Sequence, residues 1–286
     1  MATTIWLGTT SGDYQLSTNW SVDVPGAGST AVVPQDASVA IDTNLDNNAV
    51  DLAAFIVEDG CAINMGDGDS PLIIGMQSTG VIELGGTGSI NLQVAQAASS
   101  TSNLVVRDCG DLYLSGYSTE ILSDEVNIVG GTGDVYIAWN RPQAARVAEI
   151  RMQTGATLRI GPGVLDVAGS TLDEITASKG TVYNRTNVTT VNNLGATFTQ
   201  EEGTVDGLFA RGGTTKYNSG SALATATIYD GDLDFEDNIH GCTVTTVNKY
   251  GTGRILNKNS AAVLSNLYAY SGSDWGAFEF EGKALP

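Results

Sequence analysis

Apolar and polar residues alternate along most of the chain with a period of two. Ala148, Ile150 and Met152 alternate with polar residues, as Leu233 and Phe235 do farther along. Such alternation is typical of a short β-strand with one buried face and one solvated face. No stretch keeps a 3.6-residue period over three turns, so the pattern predicts an all-β protein.

Glycine-rich turns separate the predicted strands, for example at Gly85–Gly88, Gly130–Gly133 and Gly251–Gly253. Glycine permits the positive φ that many tight turns require. In the second half, a Gly-x-Thr-aromatic theme recurs, and its aromatic residues are Tyr183, Phe198, Tyr217 and Tyr229. Coils of about 20 residues with two or three short strands each predict a parallel β-helix, or solenoid. A β-sandwich or jelly-roll arrangement is the alternative.

The solenoid interpretation divides the chain into two caps and a body. A solenoid exposes unpaired backbone groups at both ends, so each end needs a cap. We expect an N-terminal cap at 1–34, a β-helical body at 35–263, and a C-terminal aromatic cap or docking segment at 264–286. The stretch 95–103, rich in Ala and Ser, is a possible subdivision of the body.

Aromatic residues concentrate near both ends of the chain. They either plug the ends of the core or contact a partner, because aromatic side chains are enriched at interface anchors. The candidate partner-binding residues are Trp6, Trp20, Tyr268, Tyr270, Trp275, Phe278 and Phe280.

The opening of the chain carries a recurrent set of motifs. Trp6–Gly8, Asn19–Ser21 and Val24–Val33 resemble the start of β-helical surface proteins: bacterial adhesins, autotransporter-like repeats and virion proteins of tailed bacteriophages. Ser29 stands where Asp is usual. Met1–Thr4 opens a stretch without the basic and apolar regions of a signal peptide. Since phage virion proteins are made in the host cytoplasm and need no export signal, the resemblance implies localisation in a virion.

The resemblance implies a structural protein that decorates and stabilises a phage capsid. Its expected partners are further copies of itself, in a homotrimer, and the major capsid protein. The alternative is a tail spike or fibre that recognises host surface glycan. Its groove would include Tyr113, Tyr117, Trp139 and Asp232. An enzyme on the same scaffold is the third hypothesis, and no enzymatic activity is expected.

The charge argues against two classes of partner. Thirteen basic and thirty-two acidic residues give a formal net charge of −19, and eleven acidic residues precede the first basic one, Arg107. Such a surface repels nucleic-acid phosphates and anionic lipid. We therefore expect no nucleic-acid or membrane partner. The acidic first third is either a solvated face or a face that docks on a basic partner or collects divalent cations.

Asp232, Asp234 and Glu236 form the densest local cluster of carboxylates. Their alternate positions would place them on one face of a strand, as a possible glycan or cation face. His240 is the only histidine, which leaves one location for a nucleophile–histidine pair. No catalytic residue is assigned.

We expect no cofactor and assign no metal ligand. The cysteines are Cys61, Cys109 and Cys242. Their odd number and wide spacing predict buried free thiols, not disulfides or a zinc site. Asp67 with Asp69, and Asp42 with Asp46, offer oxygen ligands for a structural calcium ion, but the calcium-loop spacing is not matched.

Overall fold

The structure is a computed structural model that describes residues 2–96, 102–117, 122–139, 145–166, 168–169, 171–257, 261–270 and 278–279. Over these residues the regular structure is almost entirely β, and the strands pair in parallel. The predicted parallel β-solenoid is therefore confirmed. The sandwich alternative is wrong, because sandwiches are built from antiparallel sheets. The chain forms two compact units, Met1–Ser170 and Thr171–Pro286.

The first unit contains thirteen strands in its described residues and one short 3₁₀ turn, Ser17–Asn19. The strands are β1 (Thr3–Ile5), β2 (Thr30–Val33), β3 (Asp46–Val57), β4 (Leu72–Leu84), β5 (Ile90–Gln96), β6 (Asn103–Val106), β7 (Leu112–Gly116), β8 (Glu125–Ile128), β9 (Asp134–Ile137), β10 (Ala145–Arg146), β11 (Glu149–Met152), β12 (Thr157–Ile160) and β13 (Val164–Leu165). The alternation that predicted strands around Ile150 and Leu158 is confirmed by β11 and β12.

The second unit contains ten strands in its described residues. They are β14 (Leu172–Ala177), β15 (Thr181–Asn184), β16 (Val188–Gln200), β17 (Val205–Tyr217), β18 (Leu223–Ile228), β19 (Asp232–Asp234), β20 (Thr243–Lys249), β21 (Ile255–Leu256), β22 (Val263–Ala269) and β23 (Phe278–Glu279).

Two columns of stacked strands form the core of the first unit. In the first column Ala31 pairs with Phe55 and Phe55 with Ile82. The same column continues through Leu104, Val126 and Ile150, with one residue from each successive turn. The second column runs through Leu72, Leu92, Leu114, Ile137 and Ile160. All these side chains are buried, so burial of one apolar residue above another holds successive turns together.

The second unit repeats this arrangement with shorter turns. Its first column runs through Ile175, Val191, Leu208, Ala226, Val247 and Leu267. Register partners here, such as Val191 and Leu208, lie closer in sequence than Phe55 and Ile82 do in the first unit. The coil length predicted from the sequence is therefore confirmed for this unit.

The aromatic theme that suggested the coil is not in register. Phe198 pairs with Val182, whereas Tyr183 pairs with Thr199. Phe198 is buried and Tyr183 is half-buried, because neighbouring strand positions face opposite ways. The recurring aromatic residues are therefore not equivalent positions of a repeat.

Glycines mark one corner of the turns, each two residues before a buried strand residue. They are Gly88, Gly110 and Gly133 in the first unit, and Gly213, Gly231 and Gly253 in the second. A Cβ atom on Gly133 would overlap the carbonyl oxygen of Gly110, and one on Gly253 would overlap that of Gly231. Close approach of successive turns, more than positive φ, therefore requires glycine at this corner.

Three buried aromatic rings pack together near the start of the first unit. The ring of Trp20 meets those of Trp6 and Tyr14 edge-to-face, at centroid distances of 5.2 and 5.1 Å. The indole N–H of Trp20 donates to the carbonyl oxygen of Tyr14, and that of Trp6 to Val39. This cluster supplies apolar packing where the solenoid begins.

The proposed boundaries of caps and body stay predictions. The possible subdivision at 95–103 includes residues 97–101, which lie outside the described part of the chain. The two compact units divide after Ser170.

Candidate functional site

Three tyrosines stack on the surface of the second unit. Tyr229, Tyr250 and Tyr270 follow strands β18, β20 and β22 in successive turns. Their ring centroids are 5.5 and 4.3 Å apart, and neighbouring rings are within 17° and 5° of parallel. The guanidinium of Arg211 lies 5.3 Å from the ring centroid of Tyr229, which extends the stack by one turn. These four residues are termed the tyrosine ladder.

Backbone pairing fixes the register of the tyrosine ladder. The N–H of Tyr250 donates to the carbonyl oxygen of Ile228, and that of Tyr270 donates to Lys249. Each bond continues a strand pair by one residue, so the side chains of consecutive turns lie about one strand spacing apart. The ladder is therefore a built feature of the fold.

The far end of the tyrosine ladder is exposed. Tyr250 and Tyr270 are 39% and 43% exposed, and Tyr268 and Val263 on β22 are exposed by about half. A hydrogen bond with Tyr270 raises the pKa of Tyr250. The result is a largely aromatic surface on a strongly acidic protein.

The predicted partner-binding residues fall into four groups. Tyr268 and Tyr270 lie on the surface just described. Trp6 and Trp20 are 1% and 3% exposed, which fits the role of plugging the core better than that of contacting a partner. Phe278 lies in β23 and pairs with Ile255. The other two, Trp275 and Phe280, lie outside the described residues.

The carboxylate cluster is arranged differently from the expectation. Strand β19 ends at Asp234, and Glu236 lies in the following turn, so the placement of all three on one strand face is wrong for Glu236. Arg254 donates from Nε and Nη2 to the two carboxylate oxygens of Asp232, at 3.2 and 2.6 Å. This hydrogen-bonded ion pair lowers the pKa of Asp232.

Asp234 is engaged by the turn itself. Its Oδ1 accepts the backbone N–H of Glu236 at 2.8 Å, and Asp234 as a whole is largely buried. A role for Asp232, Asp234 and Glu236 as a glycan or cation face stays a prediction. His240 is exposed in a turn whose backbone N–H groups are held by the side chain of Asn238.

Within the described ranges, no group of three or more His, Cys, Asp and Glu side chains is placed to hold a metal ion. Asp67 Oδ1 accepts the backbone N–H groups of Asp69 and Ser70, which ties a turn together. A structural calcium ion there stays a prediction. The same described ranges include no helix with the length and hydropathy to cross a bilayer.

The three cysteines are free and buried, as predicted. Burial raises the pKa of the Cys109 thiol to about 12 and that of Cys242 to about 11. Because the thiolate is the reactive form, these side chains are unsuited to nucleophilic chemistry at neutral pH.

The first unit contains a pocket of about 210 Å³ beside strand β5. Its walls include Asn64, Gly66, Asp67, Asn91 and Tyr113. Of the residues assigned above to a glycan groove, Tyr113 lines this pocket. Tyr117 and Trp139 are half-buried in the same unit, and Asp232 belongs to the second unit.

No protein-family model, curated protein or solved structure matches this chain. Any functional conclusion therefore rests on the fold, the tyrosine ladder and the pocket beside β5.

The sequence patterns did not reveal the tyrosine ladder or Asn91. One signal for the ladder was present. Tyr229 and Tyr250 have the same separation in sequence as Ala226 and Val247, which are register partners one turn apart. No comparable signal marks Asn91, whose surroundings depend on register.

Proposed function

We propose that the chain is a structural virion protein of a tailed bacteriophage that binds the capsid non-covalently and stabilises it. The observation that carries the proposal is the tyrosine ladder, with the exposed Tyr268 two residues before Tyr270. Contiguous apolar surface on a soluble protein marks an interaction site, and tyrosine is a frequent interface anchor. The resemblance of residues 6–33 to β-helical virion proteins supports the virion assignment.

Binding without catalysis is supported by the state of the candidate catalytic groups. The carboxylate of Asp232 is paired with Arg254, and the thiols are buried. A surface whose residues are fixed by strand pairing loses little conformational freedom on docking, so more of the contact energy appears as affinity. The large negative charge favours a basic docking partner and deters non-specific association.

The proposed assembly is a homotrimer that docks on the major capsid protein. Symmetric copies of one chain present several equivalent contacts to a symmetric lattice, which multiplies the affinity of each contact. Binding to assembled capsid then stabilises it by mass action. Native mass spectrometry of the purified chain tests the trimer, and a monomer at micromolar concentration would rule it out.

A co-sedimentation assay with phage heads that lack the chain tests capsid binding. We expect the wild-type chain to pellet with the heads, and the double variant Tyr250→Ser/Tyr270→Ser to bind at least tenfold more weakly. Val22→Ser, which removes an exposed apolar side chain from the first unit, is the matched control and should bind normally. Circular dichroism checks that each variant keeps the fold.

Failure of the wild-type chain to bind heads, or full binding by the double variant, would overturn the proposal. Cryo-electron microscopy of whole virions decides its location. Many copies over the head lattice support decoration, whereas a few copies at the tail would favour the spike or fibre alternative.

A further inference from the structure

Tyr113 and Tyr136 form a second stack of tyrosines, in the first unit. They are register partners on β7 and β9, and their ring centroids are 4.6 Å apart with planes 6° from parallel. Arg159, the register partner of Tyr136 on β12, places its guanidinium 5.8 Å from the Tyr136 ring centroid. Nη2 of Arg159 also donates to the carboxylate of Asp134 at 3.3 Å. A guanidinium held by a ring and a carboxylate therefore closes one end of this stack.

The pocket of about 210 Å³ beside β5 lies at the other end of the stack. Apart from Tyr113, its lining residues come from 64–68 and 89–91, which belong to the turns before that of Tyr113. Tyr136 belongs to the turn after it. The pocket is therefore on the side of the Tyr113 ring that faces away from Tyr136.

Asp67 gives the pocket a negative charge. It is the one charged side chain among the described residues that line the pocket. Its Oδ1 accepts the backbone N–H groups of Asp69 and Ser70 at 2.9 and 2.8 Å, which fixes the carboxylate without neutralising it. Residues 2–96 contain no Lys or Arg. The pocket therefore attracts cations and repels anionic ligands.

The two ends of the stack offer the same kinds of chemical group. Tyr136 and Asp134 hold the guanidinium of Arg159 at one end. Tyr113 and Asp67 line the pocket at the other end. A guanidinium also closes the tyrosine ladder of the second unit. Since the pocket is smaller than the sites of drug-sized molecules, it suits the end of one side chain.

We propose that this pocket binds the guanidinium group of an arginine side chain on a protein partner. The guanidinium stacks on the ring of Tyr113 and donates N–H groups to the carboxylate of Asp67. Arginine fits better than lysine, because a planar guanidinium stacks on a ring and forms hydrogen bonds in its own plane at the same time. This site lies in the first unit and does not depend on the proposed docking of the tyrosine ladder to a capsid.

Ligand-observed NMR with the full-length chain tests the site. One probe is N-acetyl-arginine-N-methylamide, whose ends are blocked as they are within a protein, and the other is its citrulline analogue, which has nearly the same shape and no charge. We expect saturation transfer to the arginine probe, and binding about fivefold weaker for the citrulline probe. Asp67→Asn, which keeps an acceptor oxygen for the turn, and Tyr113→Leu should each weaken binding of the arginine probe about fivefold, whereas Tyr113→Phe should preserve it.

Asp69→Asn is the matched control, because it removes the same charge from an exposed residue outside the pocket lining. It should bind the arginine probe as the wild type does. Absence of binding, equal binding of the two probes, or undiminished binding by a folded Asp67→Asn variant would overturn the proposal. Stronger binding of free arginine than of the blocked probe would also overturn it, by assigning the pocket to a small molecule. So would a greater loss of binding in calcium chloride than in sodium chloride at equal ionic strength, which would assign the pocket to a metal ion.

Discussion

At the scale of single residues, two buried asparagines have opposite consequences for stability. Asn193 Oδ1 accepts the N–H groups of Gly195 and Ala196, and its Nδ2 donates to three further oxygens, including Thr215 Oγ1 at 3.0 Å. Asn91 makes no side-chain hydrogen bond. The same residue type therefore organises a corner in one unit and is left unpaired in the other.

Replacing each of these asparagines with leucine should change the free energy of unfolding very differently. Asn193→Leu leaves several buried polar groups without hydrogen-bond partners. Each one that finds no water lowers the free energy of unfolding by about 1–3 kcal/mol. Asn91→Leu removes an unpaired amide and should leave the free energy of unfolding unchanged or raise it by up to about 1 kcal/mol. Urea unfolding of the wild type and both variants checks this. A loss for Asn91→Leu equal to that for Asn193→Leu would show that the Asn91 amide is paired.

The ion pair of Asp232 and Arg254 predicts a dependence on pH. Arg254 lowers the folded pKa of Asp232 below its unfolded value of about 3.9. The pair therefore adds stability above that value, and the stability is lost as the pH falls through the lowered folded pKa. Because the pair is partly exposed, its contribution at pH 7 is below about 1 kcal/mol.

Asp232→Asn should remove this contribution at pH 7 and make thermal stability less sensitive to acid below about pH 4. Thermal unfolding at a series of pH values measures both effects. Asp206→Asn, at an exposed position of β17, is the control and should keep the wild-type dependence. Identical pH profiles for wild type and Asp232→Asn would contradict the expectation.

At the scale of structural elements, the glycine corner limits how closely the turns can stack. Gly133→Ala would force Cβ into the carbonyl oxygen of Gly110, and we expect a loss of about 1–3 kcal/mol from overpacking. Gly155→Ala is the matched control, because no atom lies within 4 Å of its Cβ position. The control should gain about 0.4–1 kcal/mol by restricting the unfolded chain. Equal stabilities in urea would argue against close approach as the reason for glycine.

Strands and turn length could be predicted from local pattern, whereas stacking partners could not. Alternation around Ile150 predicts β11 because burial of one face imposes a period of two. Which residues stack depends on register, and the turns differ in length between and within the two units. Tyr183 and Phe198 therefore match in sequence but not in space, and Tyr250 and Tyr270 stack without an obvious motif.

For some buried polar residues, no local sequence pattern predicted that they would be buried. Lys249 ends the strand β20 wholly buried, with its ammonium donating to the carbonyl oxygen of Gly251 at 2.6 Å. Its position in the buried column follows from pairing with Ile228, a relation that the local alternation does not reveal. The surroundings of Asn91 are hidden for the same reason, because the pairing of Met65 with Ile90 places Gly66 next to it.

At the scale of the whole molecule, basic residues are scarce and many of them pair across turns. Arg107 contacts Glu83, Arg159 contacts Asp134, and Arg254 contacts Asp232. Residues 2–96 contain eleven acidic side chains and no Lys or Arg with which to form such pairs. Repulsion between carboxylates is therefore concentrated in the first turns of the first unit.

This imbalance predicts that salt stabilises the protein. Raising sodium chloride from about 0.01 to 0.15 M shortens the screening length from about 30 to about 8 Å, which weakens repulsion between surface carboxylates. We expect the Tm to rise by about 2–4 °C, equivalent to about 1 kcal/mol for a chain of this size class. Potassium chloride should have the same effect, because screening depends on ionic strength. An unchanged or lower Tm would show that repulsion between carboxylates does not destabilise the acidic turns. A larger rise of the Tm in calcium chloride at equal ionic strength would show that a calcium ion binds specifically.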